Sequence, residues 1–347
     1  MCTAVGRRLQ MKTEILKLLR ETDGYVSGQQ ISERFGVSRT AVWKAVRQLQ
    51  EEGYQVEAVR NRGYHIVDSP DVMTKEELDS LMTTEWAGRT ILYYDVTDST
   101  NLRIRQAGDE GAPHGTLAVA DRQTAGRGRR GREWESPAGS SIYMSVLLRP
   151  DISPAKASML TLVMACSVAE GIRRSMEEQK AAGDGREIPQ IQIKWPNDIV
   201  VNGKKLVGIL TEMSAQVDYI NHVTVGVGIN VNTTEFPEEI SRTATSLRLE
   251  CGGTVRRAPI IASIMERLEA NYETFLGTED LTGFMDRYSS MLVNRGRDVK
   301  VIGVKETYRA HALGITPEGE LVVRREDGRE EKINAGEVSV RGVYGYV

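Results

Sequence analysis

Between Gln123 and Arg132 the chain reads Gln-Thr-Ala-Gly-Arg-Gly-Arg-Arg-Gly-Arg, and residues 122–132 hold five arginines and three glycines with no acid. Glycines let backbone N–H groups approach an oxyanion closely, and guanidiniums neutralise and hydrogen-bond it. The segment lacks the GxxxxGK[ST] spacing of a Walker loop and opens no obvious helix as a dinucleotide fingerprint would. Its composition leaves two readings, an anion-handling loop or a flexible basic surface loop. A second group, Lys194-Trp195-Pro196-Asn197-Asp198, ends an apolar strand. There a lysine is either a fixed cation or the exposed residue of an ordinary turn, and Asn and Asp suit the turn that follows. A third group, Asp95-Val-Thr-Asp98-Ser99-Thr100-Asn101, is a polar strand-to-helix junction. Ser99 either caps the helix or offers its hydroxyl, with Thr100 and Asn101, to a polar ligand. Gly226-Val-Gly228-Ile-Asn230 starts like GxGxxG, but it lacks the last glycine and lies inside a strand pattern, so it is not read as a nucleotide fingerprint. There is no GxSxG motif and no activated-cysteine signature.

These groups need elements to hold them, and the pattern divides the chain into three. The spacing predicts helices over Met11–Arg20, over Ser27–Phe35 (Ser27 and Gln30 forming a capping box) and over Ser38–Glu52, stopped by Gly53. Strands over Tyr54–Val59 and Gly63–Val67 follow, completing a winged helix-turn-helix over residues 1–70. Ser69-Pro70-Asp71 reads as a linker, and Thr74 to Glu77 as a second capping box. Residues 71–292 then read as a mixed α+β domain. Its strands are Ile91–Val96, Thr116–Ala120, Ser141–Leu148, Ile191–Lys194, Ile199–Val201, Lys205–Met213 and His222–Ile229. Its helices are Thr100–Ala107, Ala155–Glu178 (Ser153 as N-cap, Pro154 at N1) and Pro259–Leu276. Asn202-Gly203 between apolar runs predicts a type I′ hairpin, and hence a mixed or antiparallel sheet with helices on one face. Residues 293–347 read as short strands, Val299–Ile302, Glu306–Ile315, Leu321–Arg325, Glu331–Ile333 and Val338–Val340, in a small β-barrel or sandwich.

The 347 residues carry 45 Lys+Arg and 48 Asp+Glu, a net charge of −3, with 40% hydrophobic residues. That is the composition of a folded soluble chain. Met159–Ala169 is the most apolar helical stretch and is too short to span a bilayer, and the N-terminus has no secretory h-region. A cytoplasmic protein with no membrane partner is expected. Three distant cysteines and four histidines without ligand spacing predict neither a disulfide framework nor a metal site. Residues 1–67 hold 11 basic and 7 acidic residues, so a basic head sits on an acidic body. With Val42, Ala45, Val46 and Leu49 facing a core, Arg39, Thr40, Trp43, Lys44 and Arg47 remain for a major groove, and Arg60 and Arg62 for a wing on the backbone or minor groove. The competing reading makes the head a protein-interaction module with Trp43 as a packing residue.

The order and spacing of these motifs resemble one family, the biotin–protein ligases. The resemblance rests on Ser99-Thr-Asn101, Gly126-Arg-Gly-Arg-Arg-Gly-Arg132 followed by Trp134 and Ser136-Pro137, Lys194-Trp-Pro-Asn-Asp198, Lys205-Leu-Val-Gly208-Ile-Leu and Gly226-Val-Gly-Ile-Asn230. With the winged head in front and a β module behind, the chain from about Met11 is similar to the bifunctional members, both ligase and biotin-operon repressor. The resemblance implies a class II synthetase-like ligase domain and an SH3-like C-terminal barrel. It implies that ATP and biotin form biotinyl-5′-AMP and pyrophosphate, with Mg²⁺ on the polyphosphate. Biotin would then pass to a lysine of a biotin carboxyl carrier protein. Biotinyl-5′-AMP would also be the corepressor, driving a homodimer onto operator DNA. By similarity, Ser99, Thr100, Asn101 and Gln123 line the biotin head-group pocket, and Arg127, Gly128 and Arg129 close over biotin and the adenylate phosphate. Lys194 holds the carboxylate and α-phosphate oxygens, and Arg132 and Asn230 face the nucleotide. Lys194, Arg129 and Arg127 are the expected catalytic residues. Asp198 is read either as a base for the acceptor amine or as a turn cap. Two other readings stay open, a lipoate-type ligase with an apolar tunnel and a biotin-sensing repressor without chemistry.

Overall fold

The computed structural model describes residues 4–181, 187–303, 306–335, 339–342 and 346–347. It comprises two compact units, Met1–Met82 and Thr83–Val347.

In the first unit, helices α1 (Ala4–Glu21), α2 (Gly28–Phe35) and α3 (Arg39–Glu51) precede a hairpin of β1 (Gln55–Val59) and β2 (Gly63–Asp68). Helix α1 begins earlier than its apolar pattern predicts. The Ser27 capping box forms in full, Gly36 adopts the left-handed conformation after α2, and Ser38 caps α3 through the Ala41 N–H. Ile15, Leu16, Leu19, Ile31, Val42, Val46 and Leu49 are buried together, so the spacing of the apolar residues decides which faces meet. Truncating Leu49 to Ala would cost about 2–5 kcal/mol. A Cβ at Gly63 would lie 2.0 Å from the Val26 carbonyl oxygen. That close approach lets Val26 and Tyr64 exchange two backbone hydrogen bonds of 2.9 Å and pin the wing to the helices. The unit extends past the expected linker to include α4 (Lys75–Leu81). Thr74 caps α4, but Glu77 does not complete a capping box. Its carboxylate accepts instead from Arg20 at 2.7 Å and from the Tyr54 hydroxyl at 2.6 Å.

The second unit holds a seven-stranded sheet in the order β3 (Ile91–Thr97), β4 (Leu117–Gln123), β5 (Ile142–Leu148), β9 (Ile220–Ile229), β8 (Lys204–Ala215), β7 (Asp198–Val201), β6 (Gln192–Lys194). Only β3 and β4 run parallel, and every other neighbouring pair is antiparallel. Asn202 and Gly203 both have positive φ, 49° and 74°, as a type I′ turn requires. The expectation of helices on one face fails. Helix α5 (Thr100–Asp109) packs Ile104 against Ala118 and Leu147 on one face. On the other face α6 (Met159–Gln179) reaches β8 through a Thr161–Thr211 hydroxyl pair at 2.8 Å. Helix α8 (Arg257–Thr278), which follows the short α7 (Leu247–Cys251), lies against α6 so closely that a Cβ at Gly171 would meet Ile264 Cα at 2.7 Å. Ser153 does not cap α6, because Pro154–Lys156 form a separate 3₁₀ turn. The stretch Pro154–Gln179 is long and apolar enough to cross a membrane, against the expectation from Met159–Ala169 alone. However, 78% of its most apolar window is buried within the fold.

After α9 (Met285–Met291) the chain forms a five-stranded antiparallel sheet in the order β13 (Glu330–Ile333), β12 (Leu321–Arg325), β11 (Thr307–Ile315), β10 (Arg297–Ile302), β14 (Ser339–Gly342). Val338, expected to open the last strand, lies outside the described residues. This sheet is continuous with the larger unit. The Trp195 indole N–H donates to the Gly319 carbonyl at 3.0 Å, and the Leu281 N–H donates to the Pro317 carbonyl at 2.8 Å.

Candidate active site

A cavity opens on the α5 face of the large sheet, lined in part by Ser99, Thr100, Asn101, Gln123, Arg127, Gly128 and Arg129. Strand β3 delivers Ser99 and α5 begins at Thr100, so the junction presents three consecutive polar side chains at one place. Ser99 occupies the N-cap position but makes no side-chain cap bond, which leaves its hydroxyl for the cavity. The neighbours are held by a continuous network. The Thr100 N–H donates to Gln123 Oε1 at 2.8 Å, and Gln123 Nε2 donates to Ser136 Oγ at 3.0 Å. Ser145 Oγ bonds both Thr100 Oγ1, at 2.8 Å, and Asn101 Oδ1, at 2.6 Å. Asn101 Nδ2 donates to Glu212 Oε2 at 2.7 Å. Buried polar groups satisfied in this way stay in fixed orientations.

The floor is made of glycine. On the paired strands β8 and β9, Gly208 stands opposite Gly228, and Gly226 opposite Leu210. A Cβ at Gly226 would overlap Asn101 Oδ1 at 1.9 Å, and one at Gly228 or Gly208 would meet the Trp134 ring at 2.6 and 2.7 Å. The Gly226-Val-Gly228 run therefore serves close approach of side chains to a strand, not a helix N-terminus. Trp134 lies over this floor with its indole N–H buried and, among the described residues, without a hydrogen-bond partner, and the cavity beneath the loop has a volume of about 50 Å³.

The glycine–arginine loop folds into a hairpin closed by Trp134 N–H to the Gly126 carbonyl (3.0 Å), an antiparallel backbone pairing of Arg127 with Glu133, and Gly128 N–H to the Arg132 carbonyl (2.7 Å). Its tip turns at Arg130 and Gly131, both with positive φ. Arg127, Arg130 and Arg132 line a wider outer cavity with Glu212. Arg127 also lines the inner cavity, whereas Arg129 lines the inner cavity and not the outer one. Arg129 donates to Asn197 Oδ1 at 2.8 Å and to the Ala335 carbonyl of the C-terminal sheet at 2.7 Å, and burial holds its pKa below the usual guanidinium value.

Lys194 and Asn230 are not brought to the cavity surface. The Asn230 side chain donates to the Thr245 carbonyl at 3.0 Å. Lys194 is only 4% exposed. Its ammonium makes no hydrogen bond or ion pair among the described residues, and it lies 3.3 Å from the centroid of the Tyr346 ring. Burial pulls its pKa down to about 8, helped by Lys205 and Arg341 and opposed by Asp198. Asp198 is pushed up by its own burial. It is nonetheless held below the usual carboxylate range by Lys205, 2.6 Å away, by the Tyr346 hydroxyl at 2.5 Å, and by Lys194. The sequence pointed to neither Glu212 nor Tyr346, and it offered Asn197 and Lys205 only as parts of motifs, without a role in the site. Only the alternating glycines on two apolar strands hinted at the floor.

In the first unit, Arg39, Thr40, Trp43, Lys44 and Arg47 are all exposed on α3, and Arg60 and Arg62 at the hairpin tip. Trp43 is 52% exposed, so it is not a core packing residue. The Arg47 guanidinium lies 5.8 Å from its ring centroid.

Comparison with known proteins agrees with this geometry. Residues 93–230 match the biotin/lipoate A/B protein ligase family, residues 12–65 an HTH domain, and residues 296–341 the biotin protein ligase C-terminal domain. The chain is 40% identical to the bifunctional ligase/repressor BirA of Bacillus subtilis (strain 168), over 92% of this chain and 96% of that protein. It is 30% identical to its counterpart from Escherichia coli (strain K12), over 91% and 92%. Among solved structures, the biotin protein ligase from Aquifex aeolicus in complex with biotin and ATP superposes with a TM-score of 0.61 at 31% identity. That match covers 73% of this chain and 99% of the other. A cavity of fixed polar groups under an arginine loop, a winged head and a C-terminal sheet thus occur here in one chain that belongs to the biotin–protein ligases, of the bifunctional ligase/repressor kind.

Proposed function

We propose that the cavity activates biotin with ATP and that the loaded protein regulates transcription through its winged head. In the first half-reaction a carboxylate oxygen of biotin attacks the α-phosphorus of ATP. The bond from that phosphorus to the bridging oxygen breaks, leaving biotinyl-5′-AMP and pyrophosphate. In the second, the ε-amine of a lysine on a biotin carboxyl carrier protein attacks the acyl carbon, and AMP leaves. The observation carrying this reading is the convergence, on one glycine-floored cavity, of an oriented polar wall at Ser99, Thr100, Asn101 and Gln123 with inward-facing Arg129. A ureido ring needs paired donors and acceptors, which the polar wall supplies. The apolar tunnel of a lipoate site would not.

Two anions must meet for this reaction, and their repulsion is cancelled by cations fixed in advance. Arg129 is oriented by Asn197 and by the main chain at Ala335. Arg127 and Arg132 flank the opening, and Lys194 supplies a desolvated ammonium for the carboxylate and α-phosphate. Mg²⁺ enters as part of the MgATP substrate. The loop hairpin shields the water-labile adenylate. Biotinyl-5′-AMP as corepressor, and a homodimer of loaded protein reading operator DNA with Arg39, Thr40, Trp43, Lys44, Arg47, Arg60 and Arg62, belong to the same proposal.

The test is ATP–pyrophosphate exchange. We expect exchange that depends on biotin and is not supported by lipoic acid. No exchange with biotin, or equal exchange with lipoic acid, would overturn the ligase reading. The regulatory part requires the sedimentation coefficient and operator affinity to rise together on saturation with biotinyl-5′-AMP. A monomer with unchanged affinity would refute it.

A further inference from the structure

We propose that Tyr346 is a built-in placeholder, its ring occupying the position over Lys194 that a substrate anion must take, so that nucleotide and biotin bind only by displacing it. The inference rests on the reading of Lys194 given above, that its ammonium holds the carboxylate and α-phosphate.

A buried ammonium normally has an acceptor for its protons, because leaving a charge desolvated and unpaired is costly. Lys194 has none among the described residues. Its nearest companion is an aromatic face at 3.3 Å, whose quadrupole attracts a cation without accepting a directed hydrogen bond. It lines neither the cavity nor the outer opening. The ammonium is therefore closed to anything diffusing into the site while the ring is in place. The ring itself is held from several directions. Its hydroxyl donates to Asp198 Oδ2 at 2.5 Å, and Asp198 is held in turn by Lys205. The next residue, Val347, folds over Gly342, where a Cβ would lie 2.0 Å from the Val347 carbonyl oxygen, and touches the hairpin turn, 3.2 Å from where a Cβ on Gly203 would stand. These contacts are replaceable ones. An α-phosphate or carboxylate gives Lys194 the acceptor it lacks, so anion binding and ring departure favour each other. A placeholder of this kind lowers apparent affinity by the fraction of molecules in which it is seated.

The experiment compares the full chain with Tyr346→Ala and Tyr346→Phe in biotin-dependent exchange, beside a protein carrying 3-fluorotyrosine only at position 346. With the ring gone, the apparent KM for ATP should fall by roughly three- to tenfold at unchanged kcat. Tyr346→Phe keeps the ring but loses the Asp198 bond, and should fall between. The fluorine resonance should move on adding biotin and MgATP together. A fixed resonance, or a lower kcat at unchanged KM in Tyr346→Ala, would overturn the placeholder. Lys194→Ala separates the two levels. If it keeps full exchange, the underlying reading of Lys194 is wrong. If it loses exchange while Tyr346→Ala matches the parent, the placeholder alone fails.

Discussion

In the proposed function, the cations of the head and those of the ligase site are the same residue types put to opposite physical use. On α3 and the wing, Arg39, Lys44, Arg47, Arg60 and Arg62 stand in solvent, and none is in an ion pair among the described residues. Such charges meet a polyanion by releasing its counterions, so affinity comes cheaply and is lost to salt. Around the ligase cavity, Arg129 is half-buried and Lys194 buried, and both are held by specific neighbours. A desolvated cation acts more strongly on the charge that develops beside it and is screened far less. The difference teaches that counting arginines does not distinguish binding from catalysis, whereas their solvent exposure does.

Four predictions would break or sharpen that contrast. The largest effect is expected from Lys194→Ala, which should lower kcat for exchange by about 10²–10³-fold with no change in the operator affinity of the unloaded protein. Arg129→Ala should cost about 10²-fold, and raising salt from 50 to 200 mM should scarcely change that ratio. A ratio that collapses in salt would mean Arg129 behaves like a surface charge. Next comes pH. In the proposed reaction Lys194 acts as the protonated ammonium, and its pKa is pulled down to about 8, so kcat/KM for ATP should fall as pH rises through 8. The decline should approach tenfold per unit, and it should be absent in Lys194→Arg. The smallest is Arg47→Ala, expected to weaken operator binding about tenfold and to reduce the salt slope by about one, with exchange untouched. An unchanged slope would remove Arg47 from the interface.

Legibility followed the range of the interactions. The Ser27 and Ser38 caps, the Asn202-Gly203 turn and the apolar faces of the head are local, and each is recoverable from a few neighbouring residues. The polar wall was also readable, because Ser99, Thr100 and Asn101 are adjacent in sequence and reach the same cavity with Gln123. What could not be read were contacts across long separations. Glu77 looks like half of a capping box until Arg20 and Tyr54 take its carboxylate. Asn230 sits in a glycine-rich motif yet is engaged by Thr245. Nothing local in α5 or α6 tells that they lie on opposite faces of the sheet. Lys194 could be placed at a strand end, but not under Tyr346, which is 152 positions away.

The bond from Arg129 to the Ala335 carbonyl has a consequence for how such proteins can be recombined. Its acceptor is main chain, so no alignment column records it and substitution at position 335 leaves it in place. What it depends on is the path of the backbone there. A chimaera grafting the terminal sheet of one relative onto another's ligase domain would inherit every conserved side chain and still mis-aim this guanidinium if the graft shifts that path by an ångström. Splicing of the two parts is thus limited by geometry that their letters do not encode.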